Sequence, residues 1–302
     1  MENDTAGDPM NSLKWSRKST YKISEQLRSR NISISASTTA KLLKHLDYSL
    51  KANRKSIAET QHPDRNQQFE IIAEQKRRFE DLDQPIISVD SKKKELIGNF
   101  KNPGKIWRKQ YDPVLNHDFR SMAIGIANPY GIYDPRMNNG TVVVGTSYDT
   151  PAFAVDCIES WLVLSGWHSY SNMKQLLILC DSGGSNGYRP RVWKYNLYRK
   201  ICRVHGIAIT VCHYPSGASK WNPIDHRLFS FISINWAGKP LRSFDIMLNY
   251  IRSTTTQKGL KVNAILNEDK YEKGIKISNA QFKEINIDRN EVLPQWNYTI
   301  SP

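Results

Sequence analysis

The chain has 302 residues, with 43 lysines and arginines against 29 aspartates and glutamates, which gives a formal net charge of +14. No apolar stretch approaches the ~18–20 residues needed to span a bilayer, and the first ten residues lack the basic and then apolar order of a signal peptide. We therefore expect a soluble, cytoplasmic protein whose partner is an acidic polymer, with nucleic acid favoured over a membrane surface.

Helical periodicity near the N-terminus predicts a small DNA-binding region over residues 1–60. The stretches 19–31 and 35–50 carry apolar residues at helical spacing, each behind serine or threonine residues that can cap a helix. Such a pair of short helices is typical of the end of a helix-turn-helix unit, in which Lys41 and Lys44 would meet DNA phosphates. A helical hairpin with a solvated basic face is the alternative.

Residues 61–84 are predicted to form a linker that runs into an amphipathic helix, and residues 85–302 to form an α/β domain with a C-terminal extension. Strands are predicted at 85–90, 95–100, 141–149, 176–181 and 207–215. Helices alternate with the later strands, which favours a mixed sheet flanked by helices. The four cysteines lack C-x-x-C spacing, so buried reduced thiols are expected rather than a zinc site.

Three aspartates lie where these elements begin or end. Asp90 and Asp181 each end an apolar strand, and Asp225 lies in the first turn of a helix, with Asn222 predicted as the cap. Burying a carboxylate costs several kcal/mol unless a partner compensates it. We expect the three to converge, because the helix face of Asp225 is predicted to point toward the sheet.

Three converging carboxylates repel one another and become stable when divalent cations lie among them. Oxygen ligands of this kind suit Mg²⁺ or Mn²⁺. Two such ions about 3.5–4 Å apart can activate an attacking oxygen and stabilise a leaving oxygen in phosphoryl displacement. The sequence therefore predicts a site for two ions, and the glycine-rich stretch after Asp181 would let substrate approach closely.

Each acid also has a purely structural interpretation. Asp181 could cap the Ser-Gly-Gly turn that follows it, and Asp90 could pair with one of the lysines at 92–94. Asp225 could simply be favoured by the helix dipole. Asp149, which also follows a buried strand, is a rival candidate that helix capping near Thr150 would explain.

Several long blocks of the sequence resemble a known family in order and spacing. They are "PIISVDSKKKELIGNFKNPG", "LLILCDSGGSNGYRPRVWK", "VCHYPSGASKWNPIDHRLFSFISINWAGKPL", "TTTQKGLKV" and "WNYTI". These blocks are similar to transposases of the ISAzo13 insertion-sequence family, whose catalytic region is an RNase H-like DDE domain. The resemblance implies a bacterial DNA transposase that cuts element ends and joins them to target DNA, with catalytic and metal-binding acids at Asp90, Asp181 and Asp225.

Two features depart from the family pattern. The family usually carries Glu as its third acid, whereas this chain has Asp225, whose side chain is one methylene shorter. Mariner-type transposases with three aspartates imply that this change is compatible with activity. Family members also carry more helical sequence before the position of Leu13, so part of the end-recognition region is expected to be missing.

Basic and aromatic residues around the predicted site could contact DNA phosphates or a flipped base. The DNA-binding residues predicted in this way, together with those of the N-terminal helix, are Lys41, Lys44, Lys92, Lys93, Lys94, Arg189, Arg191, Lys220, Trp221 and Arg227. Core packing is an equally good explanation for Trp221.

The partners expected are double-stranded DNA, as terminal inverted repeats and as target, and a second copy of the chain, because joining two DNA ends requires at least a dimer. Two other functions remain open from the sequence. A truncated remnant could bind DNA without cutting it. A tyrosine recombinase would use an H-x-x-R string, which His117 and Arg120 match, and would need no metal.

Overall fold

The computed structural model describes residues 18–50, 62–218 and 221–302, together with the backbone of 5–7 and 14–16. The chain divides into two compact units, Met1–Ile57 and Ala58–Pro302. Within the described residues, no helix combines the length and the apolar composition needed to cross a bilayer.

The N-terminal unit contains the two predicted helices. Strand β1 (Thr5–Gly7) pairs antiparallel with β2 (Lys14–Ser16), and the helices are α1 (Thr20–Arg28) and α2 (Ala36–His45). Serine hydroxyls cap both helices, since Ser19 accepts from the backbone N–H of residue 22 at 3.3 Å and Ser35 from that of residue 38 at 3.1 Å. Ile23 is buried between the helices, which pack against each other.

The larger unit alternates strands and helices. Its strands are β3 (Ile86–Ser91), β4 (Glu95–Ile97), β5 (Gly125–Asp134), β6 (Asn139–Gly145), β7 (Gln175–Asp181), β8 (Ala208–Tyr214), β9 (Lys261–Asn267), β10 (Asn286–Arg289) and β11 (Asn297–Ser301). Its α-helices are α3 (Arg65–Asp81), α4 (Pro151–Trp161), α5 (Trp167–Ser169), α6 (Arg191–Asn196), α7 (Arg203–His205), α8 (Ser230–Asn235), α9 (Phe244–Arg252) and α10 (Asn279–Lys283). Segments of π-helix at Leu162–Gly166, Leu197–Cys202 and Asp225–Phe229 join consecutive helices or lead into them.

Within the described residues, one sheet has the strand order β10-β11-β8-β7-β3-β5-β6-β9, with β4 paired to β5 beside this path. Strands β3, β7 and β8 are parallel neighbours, whereas β5 runs antiparallel to both β3 and β6. The five central strands β6-β5-β3-β7-β8 thus have the order and directions of an RNase H-like sheet. The predicted fold class, a mixed sheet flanked by helices, is confirmed.

Strand β5 was not expected from the sequence, because Gly125, Pro129 and Gly131 resemble a turn or loop composition. In the structure β5 pairs with β6 over seven residues and is buried along most of its length. Pro129 is tolerated because it lies just past the last pair between β3 and β5, Ser91 with Tyr130. Its carbonyl still accepts a hydrogen bond from the backbone of residue 92 at 2.8 Å.

Three apolar clusters hold the helices on the sheet. Helices α4 and α6 and their π-helical continuations pack on one face, with Trp161 and Trp193 in the cluster. The segment 224–236 and helix α9 pack on a second cluster through Leu228 and Met247. Helix α3 covers a third part of the sheet through Ile72 and Phe79. All four cysteines are free and buried, as predicted.

Helix α3 is also bound to the sheet by a buried polar contact. The side-chain amide of Gln68, which has no exposed surface, donates to the carbonyl of His213 and to Oδ1 of Asn297, both at 2.8 Å. Asn297 returns a hydrogen bond to Oε1 of Gln68 at 2.7 Å. These bonds satisfy a buried amide, as a stable core requires, and they make the helix of residues 65–81 an integral part of the larger unit.

Two strand glycines set how closely segment 225–229 approaches the sheet. A Cβ at Gly131 would lie 2.5 Å from the Phe229 ring, and one at Gly140 would overlap a methyl of Leu228. Contacts this short force neighbouring groups to move. The glycines therefore allow the segment that begins with Asp225 to pack directly on β5 and β6.

We expect Gly131→Ala to lower the free energy of unfolding by about 1–3 kcal/mol, because the added methyl overpacks the contact with Phe229. Urea denaturation followed by circular dichroism measures this change. Gly183→Ala is the control, because its added Cβ would meet no atom within 4 Å. Equal stability of the two variants would contradict this account of the packing.

Candidate active site at the carboxyl edge of the sheet

Two of the predicted acids leave the sheet side by side. Strands β3 and β7 are parallel, and Val89 pairs with Cys180. The next residue on each strand is an aspartate, Asp90 on β3 and Asp181 on β7. Because parallel neighbours end at the same edge, their registration brings both carboxylates to one place.

A pocket of about 440 Å³ lies at this edge. Three carboxylates, from Asp90, Asp149 and Asp181, contribute to its wall. The remaining wall comes from the end of β3 and from the loops after β7 and β8, and consists of Ser91, Ser182, Gly183, Gly184, Asn186, Pro215, Ser216 and Gly217. Asp225 does not line the pocket, although its charge raises the pKa of both Asp90 and Asp181.

The pKa of Asp90 is raised to about 8, first by burial and then by the negative charge of Asp181. The carboxylates of Asp225 and Asp149 raise it further. The backbone N–H of Ser91 opposes the shift by donating to Oδ1 of Asp90 at 2.7 Å. Asp90 is therefore protonated at neutral pH unless a cation compensates its charge.

The other two acids are shifted in the same direction. Burial is the main cause that raises the pKa of Asp181, and the hydrogen bond from Asn222 opposes it. Burial also raises the pKa of Asp225, while the neighbouring His226 lowers it. All three predicted acids thus resist ionisation in the protein alone, which is the electrostatic condition under which divalent cations bind favourably.

A fully buried asparagine links the three acid-bearing elements. The side-chain amide of Asn222 donates to Oδ1 of Asp181 at 3.2 Å, and its Oδ1 accepts a hydrogen bond from the hydroxyl of Ser88, two residues before Asp90. Its backbone carbonyl accepts from the N–H of Asp225 at 3.3 Å. Asn222 therefore contacts one acid directly and the elements of the other two.

The sequence predicted a different role for Asn222, namely a side-chain cap of the helix that follows. The observed side chain instead crosses to β3 and β7. The sequence around Asn222 gives no signal of this role. Its hydrogen bonds join it to Asp181, 41 positions away, and to Ser88, 134 positions away. A second polar contact that the sequence did not reveal is at His213, whose Nδ1 lies 3.0 Å from the carbonyl of Asp181.

The sequence left open that Asp90 pairs with a nearby lysine and that Asp181 caps the turn after it. Lys92 pairs with Glu95 at 3.1 Å and lies over the Trp236 ring at 4.6 Å, so its ammonium is engaged away from Asp90. The amide that reaches Asp181 comes from Asn222, on another element, rather than from the turn that follows. The amide of Asn222 is neutral and leaves the charge of Asp181 uncompensated, and Lys92 pairs with Glu95 rather than with Asp90.

The predicted DNA-binding residues occupy several places. Lys41 and Lys44 are exposed on α2 of the N-terminal unit, and Lys220 lies outside the described residues. In the larger unit the exposed residues among those predicted are Lys93, Lys94, Arg189, Arg191, Trp221 and Arg227. They lie in the chain segments that follow β3, β7 and β8, although none of them lines the pocket.

Some of these side chains have protein contacts. Arg191 donates to Oδ1 of Asn279 at 2.6 Å, and Arg189 donates to the hydroxyl of Tyr188 at 3.1 Å. The indole of Trp221 is about two-fifths exposed, and the guanidinium of Arg65 lies 4.5 Å from its ring centre. Trp221 is therefore neither a core residue nor fully solvated.

The oxygen-rich wall of the pocket, which includes three carboxylates, suits Mg²⁺ or Mn²⁺. Oδ1 of Asp149 is buried and has no hydrogen-bond partner among the described residues, so one acceptor in the pocket is unsatisfied. Within the described residues, no group of three or more His, Cys, Asp or Glu side chains is placed to hold a metal ion, so Asp90, Asp181 and Asp225 do not form a three-acid metal cluster in this arrangement. Magnesium commonly binds one or two carboxylates and completes its shell with water and substrate phosphates, so the residues fit this ion.

A family model described as "Rhodopirellula transposase DDE domain" matches residues 1–302. The chain belongs to this family. The resemblance to ISAzo13-type DDE transposases is thereby confirmed. A comparison with curated proteins found no significant match.

Among solved structures, the DDE transposase chain is similar to "Mos1 transposase paired-end complex with left transposon end", with 14% identity and a TM-score of 0.47 over 78% of this chain and 65% of that one. It is similar to "Crystal structure of the Mos1 mariner paired end complex with Mn", with 14% identity and a TM-score of 0.44 over the same 78% and 65%. The chain thus spans less than two thirds of the length of these transposase chains, 65% in each case.

The membership of a DDE family leaves no support for the tyrosine recombinase alternative. His117 and Arg120, which suggested it, are exposed in the loop between β4 and β5. The ring of His117 contacts Phe119, with ring centres 5.1 Å apart.

We expect Asn222→Ala to lower the free energy of unfolding of the DDE domain by about 1–3 kcal/mol, because it leaves buried polar partners unsatisfied. Ser88→Ala should also destabilise, and the double variant should lose less than the sum of the two, since both remove the same bond. Urea denaturation of the four proteins measures the coupling. Strict additivity would show that the hydroxyl and the amide do not interact.

Asp90 makes the stability of the metal-free DDE domain depend on pH. Its folded pKa of about 8 lies above the ordinary value of 3.8, so the folded state holds a proton that the unfolded state loses, and stability falls as pH rises between these values. Asp90→Asn removes this dependence. Between pH 5 and pH 7 we expect wild type to lose on the order of 2 kcal/mol relative to the variant, measured by denaturation in the presence of a chelator. Parallel pH profiles would contradict the raised pKa.

Proposed function

We propose that this DDE domain catalyses divalent-metal-dependent cleavage of DNA strands at insertion-sequence ends and transfer of those ends to target DNA. The observation that carries the proposal is the convergence of partly buried carboxylates at one edge of an RNase H-like sheet. Asp90 and Asp181 share a pocket there, and Asp225 acts on both through its charge. The membership of a transposase DDE family supports the same function.

In this proposal Asp90, Asp181 and Asp225 are the catalytic acids and would hold Mg²⁺ or Mn²⁺. When bound, two such ions would activate the attacking oxygen and stabilise the leaving oxygen of the phosphodiester. The protein groups prepare this chemistry, since Asn222 orients Asp181 and the N–H of Ser91 fixes Asp90. The exposed loop at Gly183 and Gly184, where a side chain is absent, leaves room for a DNA backbone against the pocket wall.

The partners we propose are the terminal inverted repeats of the element, the target DNA and a second copy of the chain. The charge of +14 supports an acidic polymer as partner. Exposed basic residues around the pocket, including Lys93, Lys94 and Arg227, would neutralise phosphates near the cut. Lys41 and Lys44 on α2 would contribute contacts from the N-terminal unit.

The proposal is tested by incubating the purified chain with duplex DNA that carries the ends of its element, in Mg²⁺ or Mn²⁺, and resolving nicked strands by gel electrophoresis. We expect Asp181→Asn to reduce nicking by at least about a hundredfold, because the variant cannot supply a charged ligand. Asp288→Asn, which changes an exposed acid on β10, is the control and should leave nicking unchanged.

Two outcomes would contradict this function. If Asp181→Asn nicks DNA as well as the wild type does, Asp181 is not a catalytic acid. Binding of element ends by wild type without any cutting in either metal would instead favour a DNA-binding remnant.

A further inference from the structure

The loop between β4 and β5 exposes an unusual combination of aromatic and basic side chains. Trp107 and Tyr111 are fully exposed, whereas most large apolar side chains of this unit are buried in its three clusters. Lys101, Lys105 and Lys109 are exposed in the same segment. We call these five residues the loop patch. We propose that the loop patch binds DNA, with its lysines on phosphates and Trp107 stacked on an unpaired base.

The loop patch lies at the edge of the sheet that carries the acids. Strand β5 continues beyond its last pair with β3, Ser91 with Tyr130, and there it pairs with β4 from Ala127 to Gly125. The loop of residues 98–124 therefore leaves from beyond the carboxyl end of β3, the strand of Asp90. DNA held at the acids would extend toward this loop.

Hydrogen bonds hold the base of the loop in place. The side-chain amide of Asn102 donates to the carbonyls of Trp236 at 3.0 Å and Lys239 at 3.2 Å. The backbone N–H of Gly238 donates to the carbonyl of Pro103 at 2.8 Å, and Arg108 donates to the carbonyl of Gly238 at 2.7 Å. The loop is thus fixed to the turn that follows α8, the helix that the Asp225 segment leads into.

The ion pairs of the loop involve arginines rather than the lysines of the loop patch. Two acids, Asp112 and Asp118, lie within this segment, and Asp112 is held by Arg108 at 3.1 Å and by Arg242 at 2.5 Å. These two arginines lower the pKa of Asp112, which keeps it ionised and paired. Among the hydrogen bonds and ion pairs of the described residues, none joins the ammonium group of Lys101, Lys105 or Lys109 to a carboxylate.

Nucleic acid fits this surface better than a second copy of the chain. A second copy carries the same charge of +14, so a basic loop would meet a like-charged protein. DNA offers phosphates for the lysines, and every base offers a face on which an exposed indole can stack. The inference rests on the proposed function, because a polynucleotide at the acids is what brings DNA to this edge.

Binding of a short mixed-sequence oligonucleotide, single-stranded or as a duplex, is measured by fluorescence anisotropy in a chelator, where no cleavage occurs. We expect Trp107→Ala to weaken single-strand binding roughly tenfold and duplex binding less, because the duplex keeps its bases stacked. Lys105→Ala with Lys109→Ala should weaken both and should flatten the dependence of log affinity on log salt by about 0.7–0.9 for each phosphate that the lysines no longer neutralise.

The matched controls lie at the opposite edge of the sheet, where Lys174 and Leu82 are exposed. Lys174→Ala and Leu82→Ala should leave both affinities and the salt slope unchanged. Thermal unfolding of every variant confirms that the exposed substitutions leave the fold intact.

The outcomes separate this inference from the proposed function. If the wild type binds DNA and the loop-patch variants bind it equally well, the inference about the loop patch is wrong, whereas the proposed function stands. Light scattering tests the other occupant. If Trp107→Ala loses an oligomer that the wild type forms while its DNA affinity is unchanged, the inference is wrong and the surface binds a second copy of the chain. Absence of any DNA binding by wild type overturns both.

Discussion

The site depends on one constraint, which is that parallel neighbouring strands end at the same edge of a sheet. The register of β3 with β7 brings Asp90 and Asp181 together, and burial in a shared pocket makes their charges unfavourable. This arrangement lowers the stability of the protein alone. Carboxylates with such unfavourable charges are typical of functional sites. Divalent cations bound between the carboxylates and DNA phosphates would offset the repulsion.

The third acid is positioned by packing rather than by strand register. Gly131 and Gly140 allow Leu228 and Phe229 to approach the sheet closely, which fixes the segment that begins at Asp225. Asn222, just before it, adds the polar contact to both acid-bearing strands. Small changes in this packing would therefore alter the geometry of the acids without touching them.

The surface around this edge is organised for an extended acidic ligand. The loops after β7 and β8 form one wall of the pocket, and the loop between β4 and β5 extends the basic surface beyond β3. The loop patch is exposed, yet its base is fixed to the turn after α8. A surface ordered before binding loses less entropy when DNA binds.

The sequence by itself determined most of the buried elements. Apolar runs predicted β3, β7 and β8, and the Thr150 cap with Pro151 predicted the start of α4, because these signals are local. Strand β5 was missed, since its glycines and Pro129 are accommodated by neighbours that local composition does not reveal. The C-terminal strands β10 and β11 were not placed, because β11 pairs with β8, which lies far away in the chain, and β10 joins the sheet through β11.

For the site, the residue pattern and the family resemblance selected Asp90, Asp181 and Asp225 as candidates. Only the tertiary structure showed that Asp149 lines the same pocket and that Asp225 does not. The same structure showed that Asn222, predicted as a helix cap, instead links strands β3 and β7. It also showed that Trp107 and Tyr111 are exposed beside that edge. Such features depend on contacts between residues distant in sequence, whereas the periodicity of a chain reports only on neighbours within a turn or a strand.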